Sequence, residues 1–536
     1  MSALLLRQVR VVPLDRQAAA DPVDVLIEDG FIAELGSAGG THRVPTVAVP
    51  TVEGSGRWLI PGLWDAHVHL AQWALSGRRL DLSRTSSPEE VLTIVARSAR
   101  DRGARGRRPI VGTGHRADAW ARQVTVAELD AACAEAPVAL INSDCHHGWL
   151  NTSALDALGL ARRDTVVAEA EWFAAYPLVA TRLEGPPAPG DYRRVLGEAA
   201  ARAVAGLVDF EFSAPWSDWA QRWHEGCDTL RIRWSPYPDQ LDSVRAAGLR
   251  SGSCLPGADD RLSVGSLKII SDGSLGTRTA WCYEPYADTG GCGAPNQPDG
   301  ELAALLAEGR RAGLSIATHA IGDRALDAAV KAYAATGARG SIEHAQVTTS
   351  QGIAGMSRLG LTASVQPAHL LDDYRTTDRV WAGQADRCFT LRALLDHGVE
   401  VALGSDAPVA PLDPWLAIAT AVHRGQPGDE PWHPEQAITT AEAIAASVDG
   451  RRIAVGQPGD VALLDFDPLA SDAARLRAMR AALTCVAGQV VHSELLAARH
   501  DRPAEPAQAN PNAVEITVLP ANHLLTALTC RSNVRS

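Results

Sequence analysis

His67 and His69 stand two residues apart at the end of the stretch WLIPGLWDAHVHL, residues 58–70. Because successive side chains of a strand point to opposite faces, the two imidazoles share one face, with Asp65 in the same row. Two neighbouring imidazoles can hold a divalent metal ion at about 2.0–2.1 Å per nitrogen. A pair of ordinary surface or core histidines is the alternative, and the rest of the chain has to decide between the two.

Four more polar residues lie at or just after the ends of apolar, strand-like runs. They are Lys268 in SLKIISDGSLGTRTA, His319 in ATHAIGDRA, His344 in IEHAQ and Asp406 in GSDAPV. Taken alone, a histidine at a strand end is more often a satisfied core residue than a ligand. Imidazoles and carboxylates in such numbers instead indicate zinc or a similar divalent ion.

Lys268 and Asp406 each have a chemical and a structural interpretation. Lys268 and Lys331 are the only lysines in a chain with 50 Lys and Arg residues. A lysine that has captured carbon dioxide becomes a carbamate, which binds metal like a carboxylate and can bridge two ions; a salt-bridged lysine is the alternative. Asp406 could be both a ligand and a base that moves a proton, or only a helix N-cap ahead of Pro408.

The elements that would position these residues alternate between strand and helix. Eight apolar runs predict strands, and helical patterns lie between several of them at 191–205, 301–312, 323–336 and 388–397. This alternation predicts a parallel sheet of the α/β class, and eight units predict a (β/α)8 TIM barrel. Catalytic groups of such barrels sit at the carboxyl ends of the strands, which would bring the six candidates to one rim. The strand cores are 58–63, 206–210, 229–234, 264–270, 314–318, 340–343, 361–366 and 399–404.

Both ends of the chain have a different pattern. Residues 1–57 and 441–500 contain short strands and turns, including a hairpin signal at Asp29-Gly30, and predict one composite β-sandwich. The barrel is then residues 58–440, with residues 71–200 as an insertion after the first barrel strand that has its own strands and helices. Residues 501–536 begin with a Pro/Ala-rich stretch and predict a disordered tail.

Composition narrows the class of protein. The 536 residues are 46% hydrophobic and 21% charged, with a formal net charge of −13. This balance argues against nucleic acid or an anionic membrane as a partner, and the sequence has no apolar run of 18 residues. Nine cysteines without a CxxC pair predict reduced thiols in the cytoplasm. A small-molecule partner and a homo-oligomer are both left open by these numbers.

The motifs PGLWDAHVHL, DGSLGTR, THAIGDRA, IEHAQ, SVQPAH and GSDAPV resemble the amidohydrolase superfamily. Within it, the chain is similar to the branch that includes N-substituted formamide deformylases, over about residues 3–495. The resemblance implies that a divalent metal, expected to be zinc, activates a hydroxide. This hydroxide would attack the carbonyl carbon of a small-molecule amide, which is the expected partner. It also implies that His67, His69 and Asp406 hold one metal, that His319 and His344 hold a second, and that carbamylated Lys268 bridges them. Single-metal members exist, so one or two ions are expected.

Five further residues are weaker candidates for substrate binding. His146 aligns with a family histidine, although a loop histidine bonded to backbone is an equal alternative. Asp272 and Arg278 would contact substrate or brace their loop. Gln366 and His369 follow the seventh predicted strand.

Two other functions remain as alternatives to linear amide hydrolysis. A ring-opening cyclic amidase or a deaminase would use the same kind of site, but Gly322 stands where deaminases of the superfamily carry a glutamate. A regulatory homologue without turnover would be favoured by a missing ligand, and no ligand of the expected set is missing.

Overall fold

A computed structural model of the chain describes residues 3–14, 21–39, 49–101, 108–115, 117, 120, 122–142, 147–212, 215–298 and 300–497. The chain divides into two units, Met1–Glu494 and Leu495–Ser536, and residues 495–497 are the described part of the second. The predicted tail at 501–536 and the candidate His146 lie outside the described residues. The described part is an α/β structure, which confirms the predicted class.

Nine strands form two parallel sheets that carry the candidate residues. The first sheet has, in order of pairing, Leu63–Val68, Val204–Asp209, Arg231–Trp234 and Leu262–Val264. The second has Leu267–Ile270, Ile316–Ala320, Gly340–His344, Thr362–Val365 and Glu400–Leu403. All neighbouring pairs in both sheets are parallel, so the carboxyl ends of each sheet lie on one side.

The two parallel sheets approach each other at two places. Gly265 and Ser266 are all that separates the last strand of the first sheet from the first strand of the second. At the other edge, Val68 forms a parallel bridge with Ala407. There the backbone N–H of Asp406 donates to the carbonyl of His67 at 2.7 Å. The ends of the first and last parallel strands are therefore hydrogen-bonded neighbours.

The predicted start of the first barrel strand, 58–63, is wrong. Trp58–Pro61 pairs antiparallel with Val461–Leu464 in a different sheet, and the parallel strand begins at Leu63. The chain crosses between the sheets at Gly62, where an added Cβ would lie 2.3 Å from the Cβ of Ala205. This close approach requires glycine, and it splits one apolar run into two strands.

The predicted run 264–270 is also interrupted, at Gly265 and Ser266. The other six predicted runs coincide with observed strands to within two residues at each end. Because their apolar residues are buried in one continuous core, the pattern of these runs was sufficient to find them.

An eight-stranded sheet contains strands from both ends of the chain. The hairpin between Val23–Glu28 and Phe31–Ser37 turns at Asp29 and Gly30, whose φ angles are 47° and 84°. Positive φ at both residues is what a tight two-residue hairpin needs, and it explains the Asp-Gly pair. The strands are Ala3–Val11, Val23–Glu28, Phe31–Ser37, Thr51–Glu53, Trp58–Pro61, Val461–Leu464, Ala481–Val486 and Gln489–Ser493.

The segment 71–200 has its own sheet. Its five strands pair in chain order and contribute residues to two separate hydrophobic clusters. The strands are Leu80–Asp81, Ile110–His115, Val138–Asn142, His147–Leu150 and Val167–Ala168.

Helices connect the strands and complete the α/β pattern. In the part of the chain that the structure describes, no helix is both long and apolar enough to span a membrane. The α-helices are Leu70–Ser76, Pro88–Asp101, Val126–Ala132, Thr152–Leu158, Glu169–Leu178, Pro189–Ala200, Trp216–His224, Leu241–Ala246, Glu301–Arg311, Asp323–Thr336, Ser350–Leu359, Leu370–Val380, Leu391–Asp396, Pro414–His423, Thr440–Ala445, Ala473–Arg477 and Glu494–Ala497. Short 3-10 helices lie at Pro238–Gln240, Pro367–His369, Ala385–Arg387 and Pro434–Gln436, and a π-helical turn at Val179–Glu184.

Candidate metal centre

His67 and His69 lie at the carboxyl end of the strand Leu63–Val68, and both are buried. Nδ1 of His67 is 2.7 Å from Oε2 of Glu343, an acceptor that favours the proton on Nδ1 and leaves Nε2 with its lone pair. Burial lowers the pKa of His67 well below its usual value, with a further contribution from Lys268. His67 is therefore a neutral imidazole with one nitrogen available as a ligand.

Asp406 follows the last parallel strand and faces these two histidines. Its Oδ1 is 3.3 Å from Nε2 of His69 and 3.6 Å from Nε2 of His67. Burial opposes ionisation of Asp406, but the surrounding imidazoles, His67 foremost, outweigh it and hold the pKa well below its usual range. The carboxylate is an anion enclosed by histidines.

Lys268 reaches the same group from the strand Leu267–Ile270. Its Nζ is 3.1 Å from Nε2 of His67 and 4.3 Å from the ring centroid of Phe210. Burial lowers the pKa of Lys268 to about 8, although Glu343 and Asp406 act in the opposite direction. Burial thus increases the fraction of uncharged amine near neutral pH.

His344 ends the strand Gly340–His344 and joins the group with its ring centroid 5.0 Å from that of His67. Its Nδ1 is 2.8 Å from Oε1 of Gln366. Gln366 therefore orients the ring of His344. His369, in the short helix that follows, has its Nε2 3.8 Å from Oδ2 of Asp406.

His319 lies beside this group, and one of its ring nitrogens contacts the loop after Lys268. Its ring centroid is 4.5 Å from that of His344, in an edge-to-face arrangement. Its Nε2 is 3.2 Å from the carbonyl oxygen of Gly273 and 3.4 Å from Oδ1 of Asp272. A proton on Nε2 satisfies both contacts, so this nitrogen is used by the loop after Lys268.

The donor atoms of two sets of residues are mutually close. Within the described ranges, groups of three donors within 4.8 Å of one another are His67, His69 and Asp406, and His344, His369 and Asp406. Two imidazoles and one carboxylate are a donor set that zinc and similar divalent ions accept. The residues present therefore fit a divalent cation.

Asp272 is a structural brace in this arrangement. It is fully buried and accepts hydrogen bonds from the backbone N–H groups of Ile321, Gly322 and Trp281 at 2.9–3.0 Å. Those bonds tie the loop after Lys268 to the loop after His319. Of the two interpretations of Asp272, the contacts favour the brace.

Arg278 lies in the same loop, and its side chain contacts other residues of that loop. Its guanidinium donates to Asp288 at 2.9 Å and to the carbonyls of Leu275 and Gly276. These contacts again favour bracing over substrate binding.

Glu343, Asp65 and Phe210 are site residues that the sequence prediction missed. Glu343 orients His67, and Asp65 accepts the backbone N–H of His67 at 3.1 Å and of Ser405 at 2.9 Å. Asp65 thus holds the first and last parallel strands together. Glu343 is the fourth of the five residues of the strand Gly340–His344 and directly precedes His344. A carboxylate in a buried strand needs a partner, and this was a signal for it. Phe210 follows a strand that ends without a histidine and has no such signal.

The sequence pattern of the amidohydrolase family matches residues 51–492. YtcJ of Bacillus subtilis is 26% identical over 521 residues, which is 88% of this chain and 96% of that protein. The N-substituted formamide deformylase of Arthrobacter pascens is 26% identical over 531 residues, 87% of this chain and 94% of that protein.

A solved structure has the same fold. It is an uncharacterized metal-dependent hydrolase from Pyrococcus horikoshii OT3, 24% identical, with a TM-score of 0.73 over 88% of this chain and 99% of that one.

Proposed function

The chain belongs to the amidohydrolase family and is a metal-dependent hydrolase, and on that premise we propose that it hydrolyses a C–N amide bond in a small molecule. N-substituted amides are the proposed substrate class, with N-substituted formamides first, because the relative from Arthrobacter pascens is named for that reaction. The observation that carries the proposal is the buried convergence of His67, His69 and Asp406 at the carboxyl ends of two parallel strands.

The proposed scaffold is a closed (β/α)8 barrel formed by both parallel sheets, in which Leu262–Val264 and Leu267–Ile270 are the two halves of one interrupted strand. The parallel pairing within each sheet and the Val68–Ala407 bridge support it. In this proposal the barrel spans residues 63–440 with the insertion 71–200, and the strands between residues 3 and 61 and between residues 461 and 493 form the composite β-sandwich.

His67, His69 and Asp406 would hold the catalytic cation, which we propose to be zinc. When bound, such a cation lowers the pKa of a water molecule and polarises a carbonyl group. Glu343 keeps the proton of His67 on Nδ1, so that Nε2 faces the site as a lone pair. The protein thus sets the tautomer of the ligand His67 in advance.

Asp406 is the proposed general base and acid. Its carboxylate is ionised and stands among the histidines, where it can accept the proton of the attacking water. The same proton is then donated to the amide nitrogen as the C–N bond breaks, so that an amine leaves and Asp406 is regenerated.

Lys268 is the proposed site of a carbamate. Its amine would add to the carbon of carbon dioxide with loss of one proton, which leaves an anionic carbamate on Nζ. The burial of Lys268 and its place 3.1 Å from His67 support this, because a permanent ammonium there would repel a bound cation. The carbamate would instead contribute an oxygen ligand.

The test is a substrate screen on the zinc-loaded full chain. N-formyl, N-acyl and cyclic amides are incubated with the enzyme, and release of amine and acid is measured. We expect turnover of linear N-substituted amides, loss of turnover after chelation, and recovery with added zinc. Activity that survives complete removal of metal would contradict the proposal, and turnover of cyclic amides alone would select the alternative class.

The two lysines provide a matched pair of variants for the carbamate. Lys268→Ala should abolish turnover, and a short carboxylic acid in the buffer should partly restore it by supplying the missing oxygen ligand. Lys331→Ala removes the chain's other lysine, at an exposed position on the helix Asp323–Thr336, and should leave turnover unchanged. A fully active Lys268→Ala without added acid would exclude the carbamate.

A further inference from the structure

A cavity of about 570 Å³ lies between the two parallel sheets, and we call it the lumen cavity. Its walls include Ala66 and Val208 of the first sheet and Ser341, Thr362 and Ala402 of the second. Because strands of both sheets line it, the lumen cavity occupies the space in which a closed barrel has its core.

The side chains that face the lumen cavity are small. Closed barrels of parallel strands are normally filled by bulky branched side chains, whereas this cavity is lined by alanines and serines such as Ala66, Ser341, Ser364 and Ala402. Ala66, Val208 and Ala402 are partly exposed, although the two neighbours of each in its strand are buried. Solvent therefore reaches the middle of three strands from inside the proposed barrel.

The strand register shows how far the lumen cavity extends. Thr362 is level with Glu400, which is exposed at the amino end of its strand. Two residues further along, Ser364 is level with Glu343 and Ala402. A strand rises about 3.3 Å per residue, so this second layer lies about 7 Å deeper. The cavity thus runs from an exposed rim to the buried carboxylate of Glu343.

The inner end of the lumen cavity is formed by residues that contact the candidate metal centre. Glu343 and Phe210 both line the cavity. Oε2 of Glu343 is 2.7 Å from Nδ1 of His67, and the ring centroid of Phe210 is 4.3 Å from Nζ of Lys268. The cavity therefore approaches the centre from the amino ends of the strands.

The rim of the lumen cavity has an excess of negative charge. Arg233 is the one cationic side chain among the described residues that line it, and it donates to Asp449 at 2.7 Å. Glu442 is paired with an arginine outside the cavity. Glu400 has no ion-pair partner in the described part of the chain, and its carboxylate accepts the hydroxyl of Thr362 at 3.3 Å. This unpaired carboxylate favours cations over anions at the rim.

We propose that the lumen cavity is a water-filled entrance to the underside of the candidate metal centre, and that it admits water and small cationic solutes. It is separate from the carboxyl-end face, where barrel enzymes have their active sites. Cavities that stay empty have apolar walls, whereas hydroxyl and carboxylate groups line this one. The proposal rests on the proposed closed barrel and not on the proposed hydrolysis of an amide.

Three consecutive positions of one strand provide the test. Thr362 and Ser364 line the lumen cavity, whereas Ala363 is buried in the hydrophobic core. Thr362→Cys, Ala363→Cys and Ser364→Cys are each made in the full chain and labelled with 2-aminoethyl methanethiosulfonate. Labelling is followed by mass spectrometry of the tryptic peptide 359–375, which has no native cysteine. We expect Thr362→Cys and Ser364→Cys to react, and Ala363→Cys to react about 10³-fold more slowly, because a packed core opens rarely.

Two further comparisons test the route and its charge preference. Thr362→Trp narrows the amino-terminal end, and in the Ser364→Cys background it should slow labelling to the rate of Ala363→Cys. The anionic reagent 2-sulfonatoethyl methanethiosulfonate should label Ser364→Cys about tenfold more slowly than the cationic one, after each rate is divided by that for free cysteine. Glu400→Gln should reduce this ratio.

Four labelling results would overturn the proposal. Ser364→Cys as unreactive as Ala363→Cys would show a closed lumen, and a folded Ala363→Cys as reactive as Ser364→Cys would show that labelling does not follow the cavity. Unchanged labelling after Thr362→Trp would place the entrance elsewhere, and equal normalised rates of the two reagents would exclude the preference for cations. Thermal unfolding confirms that each variant is folded.

A crystal structure of the wild type tests the proposal without any variant. We expect ordered water molecules between Thr362 and Glu343, and a lumen cavity without them would contradict the proposal. Because neither experiment uses an amide, failure of the proposed hydrolase function leaves these results unaffected.

Discussion

Asp406 and Asp272 are two buried aspartates in adjoining regions, and the donors around them differ. Asp272, in the loop after Lys268, accepts three backbone N–H groups from Trp281, Ile321 and Gly322. Asp406, in the histidine group, has its carboxylate among imidazoles, with His67 and His69 on Oδ1. A carboxylate saturated by amides holds loops together, whereas one that faces only imidazoles is available to a cation or a proton. Burial alone does not distinguish the two roles; the type of donor does.

The largest expected effect follows from Asp406→Asn. The amide keeps the size of the side chain but removes its charge and basicity, so turnover should fall by about 10²–10⁴-fold, as for other lost general bases. The melting temperature should stay within a few degrees of the wild type. Steady-state kinetics with thermal unfolding separate these outcomes, and wild-type turnover would assign Asp406 to structure.

Asp272→Ala should have the opposite effect, because it is expected to reduce the stability of the fold. Three backbone N–H groups lose their acceptor, each at a cost of about 1–3 kcal/mol where water cannot replace it. We expect the free energy of unfolding to fall by about 3–5 kcal/mol, measured by urea denaturation. Asp288→Ala in the same loop, which breaks only the contact with Arg278, is the control. Unchanged stability with lost turnover would instead make Asp272 a substrate ligand.

Asp209, a third buried aspartate, extends the comparison to the pH dependence of stability. It is fully enclosed, accepts N–H groups from Leu70, Glu211 and Trp219, and burial, with help from Glu211, raises its pKa to about 6. Between about pH 4 and pH 6 the native state therefore holds a proton that the unfolded chain has released. The stability contributed by Asp209 should fall as the pH rises through this window, by at most about 3 kcal/mol.

The measurement is urea unfolding of the wild type and Asp209→Asn at several pH values. The difference in unfolding free energy between the two should decline from about pH 4 to pH 6 and stay constant above it. A difference that is constant across the window would show that Asp209 is ionised throughout.

The smallest effect is expected from Arg278→Ala. The guanidinium braces its own loop through Asp288 and two backbone carbonyls, and such partly exposed pairs contribute about 0–1 kcal/mol. Turnover should stay within about threefold of the wild type. A large increase in KM with unchanged stability would restore Arg278 as a substrate-binding residue.

Much of this organisation could be predicted from local patterns. Six of the eight parallel strand runs were found because alternating strand and helix leave apolar runs of characteristic length. The prediction that His67 and His69 share one face needed only the two-residue period of a strand. The boundary at Gly62 was missed, because an apolar run does not reveal that its two halves pair with different sheets.

The residues that support the site were harder to predict because their partners are distant in sequence. Glu343 is next to His344, yet it contacts His67. Asp65 stands in the HxH motif, yet its carboxylate accepts the N–H of Ser405. Neither contact leaves a trace in the spacing of residues along the chain.

The sequence by itself determined the α/β class and the amino acids able to bind a cation, because side-chain chemistry and strand period are local properties. Tertiary structure alone decided how they are used. It turned Asp272 toward backbone amides and Asp406 toward histidines, and it brought His369 to the second oxygen of the Asp406 carboxylate. The physical reason is that a carboxylate takes whichever donors the folded chain brings to it, and those donors come from strands and loops far away in sequence.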